Sequence, residues 1–363
     1  MRLSSLTLLS GAAFVALSLS SSSLAQSFRI TDLGTLGGIY SSALDINNRG
    51  TVVGYEITAD FSFRAYSYSD GVIRHLNQSS DDNFSQATAI NDNGVIVGVA
   101  SVQVSPNERN SHAVTFSNGT VTDLGALSNP FSNAFGINNS GTIVGSTSNF
   151  AGVSRAFSYK NGVMTDLGTF GGIQATGIND SGTIIGSYAP TSGAAVRAFS
   201  LKNGVVTDLG TLGGAFTFPK AINESGTVVG QASKPEADIS HAFMNTNSAM
   251  IDLGTLGGTQ SSANAINSFG TIVGDSTLAD GTSRGFLYPG GIMTDLNTFL
   301  PANSGWNLTG AFGINDAGSI VGTGMFNNQS RSFLLTAVPE PSVLWMAGIA
   351  VSVFGLRLKR KRN

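Results

Sequence analysis

The sequence predicts an all-β chain: a seven-bladed β-propeller of four-stranded blades, its ring closed by the N-terminal strand, with a short C-terminal transmembrane helix after it. Three observations predict the ring. A repeat of about 44 residues occurs seven times, each copy carries two hairpin signals, and a spare strand at the start matches a missing strand at the end.

The repeat shows in three markers. Ile-Asn-x-x-Gly recurs with Asn47, Asn91, Asn138, Asn179, Asn223, Asn267 and Asn315, at spacings of 44, 47, 41, 44, 44 and 48. Thr-Asp-Leu-Gly-Thr-Leu-Gly-Gly is clearest at residues 31–38 and 207–214, and its Asp positions are Asp32, Asp123, Asp166, Asp208, Asp252 and Asp295. His75 stands in that slot in the degenerate copy. The third marker is a basic residue before a small and usually an aromatic one: Arg64, His112, Arg155, Arg197, His241, Arg284 and Arg331. Periods of this length indicate a solenoid or a propeller.

Each copy reads as strands A (ending at Ile-Asn), B (Thr-Ile-Val-Gly), C (Arg-Ala-Phe) and D (Val-x-Thr-Asp-Leu). In the fourth copy Asn179-Asp180-Ser181-Gly182 joins A to B, and Asn203-Gly204 joins C to D. Asn and Asp start such turns and Gly accepts positive φ, so both are tight hairpins. Four short β-branched and aromatic strands with Gly-rich links suit propeller blades; a β-solenoid, whose coil is shorter, is the alternative. Residues 28–33 form a lone D strand, whereas the last copy supplies A, B and C and no D. Joining the two removes an unpaired edge and favours a closed ring.

Composition narrows the function. Only 11% of residues are charged and 41% are hydrophobic, which excludes disorder. The absence of cysteine excludes disulfides, thiolate metal sites and thiol nucleophiles. Residues 1–25 have the three parts of a secretory signal: Arg2, an apolar stretch over 6–19, and the small-residue box Ser23-Leu24-Ala25. The repeat domain then spans 26–337, and 338–363 form a second three-part segment. That segment holds Val338-Pro339-Glu340-Pro341, an apolar run over 343–356, and the basic residues Arg357, Lys359, Arg360, Lys361 and Arg362. A run this short, below the ~20 residues of a permanent span, with a positive stop signal behind it, suits a transient anchor in the inner membrane. Loss of Arg2 and the five tail cations leaves 13 basic against 22 acidic residues, a balance that argues against nucleic acid as partner.

The C-terminal segment resembles the PEP-CTERM sorting signal of Gram-negative bacteria. That resemblance implies processing by an exosortase-type transpeptidase and delivery to the periplasm, outer envelope or extracellular matrix. The three repeat markers, which cover residues 28–337, resemble the HAF family of extracellular repeats, named for segments such as His241-Ala242-Phe243. That resemblance implies a secreted repeat protein and little about activity.

Site residues are read against this frame of strands. The A–B and C–D links are tight and share one face; the B–C and D–A links share the other, and all length variation lies there. That variable face, or the channel mouth, is the expected binding surface. In each copy the basic residue and the repeat Asp are diagonal neighbours, which reads as a structural clamp between C and D; a basic ring facing a ligand is the alternative. His112 and His241 fill the clamp slot, so no metal site is expected of them. Tyr66, Phe157, Phe199, Phe243, Phe286 and Phe333 read as core between blades, whereas Phe150, Tyr188, Phe216, Phe218, Trp306 and Phe326 lie in or near the variable links. No P-loop, Gly-x-Ser-x-Gly, His-Glu-x-x-His, EF-hand or sialidase-type Ser-x-Asp-x-Gly-x-Thr-Trp box is present. No cofactor, metal or catalytic residue is therefore expected. The reading is an exported, non-enzymatic binding or structural protein of the cell envelope or biofilm matrix, with extracellular polysaccharide as the expected ligand. A propeller hydrolase or lyase acting on polysaccharide is the alternative, with its acids among Glu56, Asp60, Glu236, Asp238 and Asp280.

Overall fold

The computed structural model describes residues 27–77, 84–168, 171–189, 195–246 and 249–338. The signal segment, Pro339-Glu340-Pro341, the apolar run with its expected helix and the basic cluster lie outside the described residues. Val338 ends the last described strand. Among the described residues no helix is long and apolar enough to cross a membrane.

Seven antiparallel sheets of four strands each are arranged in the order A-B-C-D. In blade three these strands are Phe131–Ile137, Ile143–Ser148, Ser154–Lys160 and Val163–Asp166. The seventh blade takes A, B and C from Trp306–Ile314, Ile320–Phe326 and Gln329–Val338, and its outermost strand from the N-terminal Ser27–Gly34. Phe28 pairs with Ala337 and Asp32 with Phe333, so the start of the domain zips onto its end. Leu33 then packs with Ala43 and Val52 of blade one and with Val321 and Leu334 of blade seven, which closes the ring.

The turns follow from their residues. Asp70-Gly71, Asn118-Gly119, Asn161-Gly162 and Asn203-Gly204 carry positive φ at both positions, the geometry of two-residue hairpins whose twist matches the strands. One segment departs from its sequence reading. Residues 100–111, which fall in the variable B–C link of the second copy, are instead the extended ends of a projecting hairpin, Ile96–Ser105 with Glu108–Ser117. Its alternation of Val102 and Val104 with polar residues sustains the ladder beyond the body of the blade.

The core lies between blades. Tyr66, Phe157, Phe199, Phe243, Phe286 and Phe333 are fully buried on strand C, and Phe157 packs with Val97, Ala113 and Leu124 of the preceding blade. Strand B carries a Gly at the matching height because nothing larger fits. A Cβ on Gly145 would stand 1.9 Å from the Asn133 carbonyl oxygen and 2.8 Å from the Phe157 ring.

Blades are tied by the repeat asparagine. Each Oδ1 accepts the N–H four residues on, as Asn179 does from Thr183 at 2.9 Å, and so shapes its own A–B turn. Each Nδ2 donates to the main-chain carbonyl of the asparagine in the next blade: Asn47 to Asn91, Asn91 to Asn138, Asn138 to Asn179, and on through Asn223, Asn267 and Asn315 back to Asn47, at 3.0–3.2 Å. The result is a closed ring of seven buried hydrogen bonds. Asn179→Leu keeps the volume but strands the Thr183 N–H and takes from the Asn223 carbonyl one of its two donors, leaving the Gly226 N–H. It is expected to cost about 2–4 kcal/mol in a denaturant melt of the purified protein.

Candidate functional site

The repeated acid–base residues sit on the outer strands, at the variable-face end of each blade. Arg155 Nη1 lies 2.9 Å from Asp166 Oδ2, Arg197 Nε 2.9 Å from Asp208, Arg284 Nε 3.6 Å from Asp295 and Arg331 Nη1 2.7 Å from Asp32. His112 and His241 place Nδ1 2.9 and 2.8 Å from Asp123 and Asp252. The same carboxylates accept the N–H two residues on, as Asp166 does from Gly168 at 2.6 Å, and so bend the D–A link. Ion pairs this exposed are worth about 0–1 kcal/mol, so fixing that bend is the larger part of their role. With both duties filled, these groups are poor ligand contacts.

Blade one permutes the pattern. Its acid has moved to strand B as the buried Glu56, paired in register with Arg64, and His75 Nδ1 lies 3.7 Å from the Glu56 carboxylate. Burial raises the Glu56 carboxyl and lowers the His75 imidazole, the latter helped by the Arg64 charge.

Aromatic side chains gather on the variable face. Tyr40, Tyr55, Phe63 and Phe84 form a ladder with successive centroids 6.0, 5.6 and 5.6 Å apart between blades one and two. Burial and the neighbouring Tyr40 push the Tyr55 phenol up to about 12, so it remains a neutral donor. Phe216 stacks on Phe218 at 5.2 Å and Trp306 on Phe326 at 5.0 Å, with the Arg331 guanidinium 5.7 Å over Phe326. Phe150, edge-on to Phe131 at 5.1 Å, is 81% exposed, and Phe61 is 74% exposed. Tyr188 instead spends its hydroxyl on Asp208 at 2.7 Å. A groove of about 720 Å³ between blades five and six is lined by Phe216, Lys234, Pro235, Glu236, Asp238 and Gln260.

The central channel holds features that the repeat markers did not reveal. On the tight-turn side its mouth is ringed by the residues after each repeat asparagine, among them Asp92, Asp180, Glu224 and Asp316. The backbone N–H groups of Asn48, Asp92, Asn139, Asp180, Ser268 and Asp316 bond the matching side chain of the next blade, as from Asn139 to Asp180 at 2.7 Å. Below the mouth, Ile46, Ile90, Ile137, Ile178, Ile222, Ile266 and Ile314 form an apolar collar. Beyond the collar, toward the variable face, lies a chamber of about 230 Å³.

Every strand A bulges two residues before its isoleucine, and the unpaired residue lines that chamber: Leu44, Thr88, Phe135, Thr176, Lys220, Asn264 and Phe312. Bulges re-aim side chains, here into the lumen. Thr88, Thr176 and Asn264 turn to the carbonyls of Ala134, Pro219 and Ala311 in the next blade, at 2.7, 2.8 and 2.9 Å. The sequence did hold a sign of this. Beside the repeating isoleucine, the bulge position changes residue type from blade to blade, from Leu and Phe to Thr, Lys and Asn. Asp45 is the second exception, standing where the other blades have Ala or Gly. It accepts from the Ile46 and Ile90 N–H groups at 2.8 and 2.9 Å, and desolvation lifts its carboxyl to about 6 against those bonds.

No family model matches the chain, and no curated protein matches it in sequence. Solved structures do match in shape. The β-propeller domain of the Trilobed protease from Pyrococcus furiosus, described as having an open velcro topology, is 9% identical over 82% of this chain and 95% of that one, with a TM-score of 0.51. The chain is a β-propeller. TolB from Acinetobacter baumannii is 12% identical over 79% of this chain, at a TM-score of 0.44; this chain spans 64% of its length. AofleA from Arthrobotrys oligospora is 11% identical over 86% and 91%, at 0.36. At these identities the likeness extends to fold alone. In the propeller described here the N-terminal strand is paired into the last blade.

The raised Asp45 carboxyl has a measurable consequence. The folded chain holds a proton there between the ordinary value of 3.8 and about 6, where the unfolded chain has lost it. Stability from this group is therefore highest below pH 4, falls as pH rises to about 6, and stays lower above. Asp45→Asn should flatten that window, with roughly 1–2 kcal/mol less pH dependence than wild type in parallel denaturant melts from pH 3.5 to 7.5.

Proposed function

We propose that this propeller is an exported, non-enzymatic binding protein of the Gram-negative cell envelope or extracellular matrix, and that its variable-loop face holds polysaccharide. The reading rests on the concentration of aromatic rings on that face, with Phe61 and Phe150 largely exposed on a scaffold fixed by seven blades. Planar rings with apolar faces match the C–H faces of sugars. A negative mature domain without disulfides suits neutral or hydroxyl-rich ligands over polyanions bound by charge. The carboxylates that recur in the blades are committed to clamps and turns. That commitment favours binding over hydrolysis.

The route to the envelope rests on the two ends of the sequence. In this reading the signal segment is removed near Gln26, and the Pro339-Glu340-Pro341 motif, the apolar transmembrane helix and the basic tail present the chain to an exosortase-type transpeptidase. Val338, exposed at the free end of strand C, is the last described residue before the motif.

Two measurements test these readings. Retention of the purified domain on host matrix polysaccharide should weaken roughly 2- to 10-fold in Phe150→Ala and in Phe61→Ala, with melting temperature unchanged. Turnover of polysaccharide into reducing ends would replace the binding reading with the hydrolytic one. Mass spectrometry of envelope fractions should find chains ending near residue 338, and alanine at Pro339, Glu340 and Pro341 should leave full-length protein in the inner membrane.

A further inference from the structure

The chamber beyond the isoleucine collar carries two charged residues, where neutral side chains suffice elsewhere to bond neighbouring blades. Of the seven bulge residues, Thr88, Thr176 and Asn264 bond the next blade, and Leu44, Phe135 and Phe312 are apolar wall. Lys220 also reaches the next blade, and it is the one cation among the seven. Its Nζ donates to Asn264 Oδ1 at 2.7 Å, and Asn264 Nδ2 donates in turn to Asp275 at 2.8 Å. The amide thus stands between ammonium and carboxylate. It orients the lysine while leaving two of its three donors uncommitted among the described residues. Asp45 is the second charge, a carboxylate in a slot otherwise filled by Ala or Gly, and it too bonds the next blade, through the Ile90 N–H. Its lattice of two backbone donors contains no cation.

These groups are distributed around the lumen by blade number. Asp45 lies in blade one and Lys220 in blade five, three blades apart one way and four the other, so they face each other from opposite walls. Phe135 in blade three and Phe312 in blade seven supply apolar surface on the walls between. The volume, about 230 Å³, is at the small end for ligand cavities and suits one monosaccharide-sized molecule. Strand direction puts the chamber on the variable-face side of the collar, so a molecule entering from that face is stopped by the isoleucines.

We propose that the chamber binds a small hydroxylated carboxylate, its acid group on Lys220 and a hydrogen-bond donor at its far end on Asp45. Burial lowers the Lys220 ammonium and raises the Asp45 carboxyl, the state of two charges short of solvent that a complementary ligand would relieve. Two sources offer this chemistry, a sugar acid and an amino acid. The match of Asp45 to a neutral hydroxyl as well as to an ammonium makes the test carry both.

The test is isothermal titration of the mature protein with D-glucuronate, D-glucose and L-glutamate. Saturable binding of glucuronate or glutamate without binding of glucose is expected, and which acid binds identifies the source. Lys220→Met should weaken that binding at least tenfold, and Lys202→Met, on an outer strand, should leave it unchanged. If Lys220→Met fails to melt as a folded protein, Lys220→Gln is read in its place. The proposal is overturned if neither acid binds at millimolar concentration, or if the Lys220 variants bind as wild type. It does not depend on the loop face, whose aromatic variants test polysaccharide binding separately.

Discussion

One side chain per blade, an asparagine in the turn between the two inner strands, holds the ring together. Its carboxamide is divided between two tasks: the oxygen closes its own turn, and the nitrogen reaches the carbonyl of the next blade. Each asparagine is only 3–6% exposed, so these bonds are made away from competing water. A buried amide left unpaired costs more than the pair gains when formed, which makes the ring close to all-or-none. Aspartate cannot do both jobs because it has no donor, and glutamine would place its amide one carbon too far out.

The same constraint brings the inner strands close around the axis, and the chain accommodates that crowding in specific ways. Strand B must carry Gly where the strand A carbonyl and the strand C aromatic ring meet. In six of the seven blades strand A holds Ala or Gly next to its isoleucine, and every strand A bulges just before that position. The bulge is where the seven blades stop being equivalent. A strict repeat fixes the scaffold, and the extra residue per strand is free to differ because its side chain leaves the packed interface for the lumen. Length variation on the loop face follows the same division, since the described loops there are joined from blade to blade by single backbone bonds, such as the Thr217 N–H to the Val196 carbonyl, and not by a closed side-chain ring.

Closure by the N-terminal strand matters for a protein without disulfides. An open ring would expose the edge of strand C over Gln329–Val338, with Phe333 and Leu335 behind it. Pairing with Ser27–Gly34 covers that edge and clamps it through Asp32 and Arg331. The ring is thereby made independent of any covalent staple, and both termini of the domain leave from adjacent strands of one blade.

The sequence by itself determined the number of blades, their four strands, the tight turns and the closing strand. Each of these is written in local chemistry: Asn and Gly at turn positions, β-branched residues between them, and copies counted along the chain. It also held the clamp residues, because diagonal neighbours across a two-residue hairpin follow from turn length alone. Only the tertiary structure decided that the repeat asparagines bond one another, that the isoleucines beside them meet as a collar, and that Leu44, Phe135, Lys220 and Phe312 face one chamber. Those contacts join residues some 40 or more positions apart, up to the 268 that separate Asn47 from Asn315. A bulge, which reverses the side of a strand that a residue faces, leaves no mark in the alternation of the sequence. Where each side chain points was therefore settled by closing the ring around a common axis.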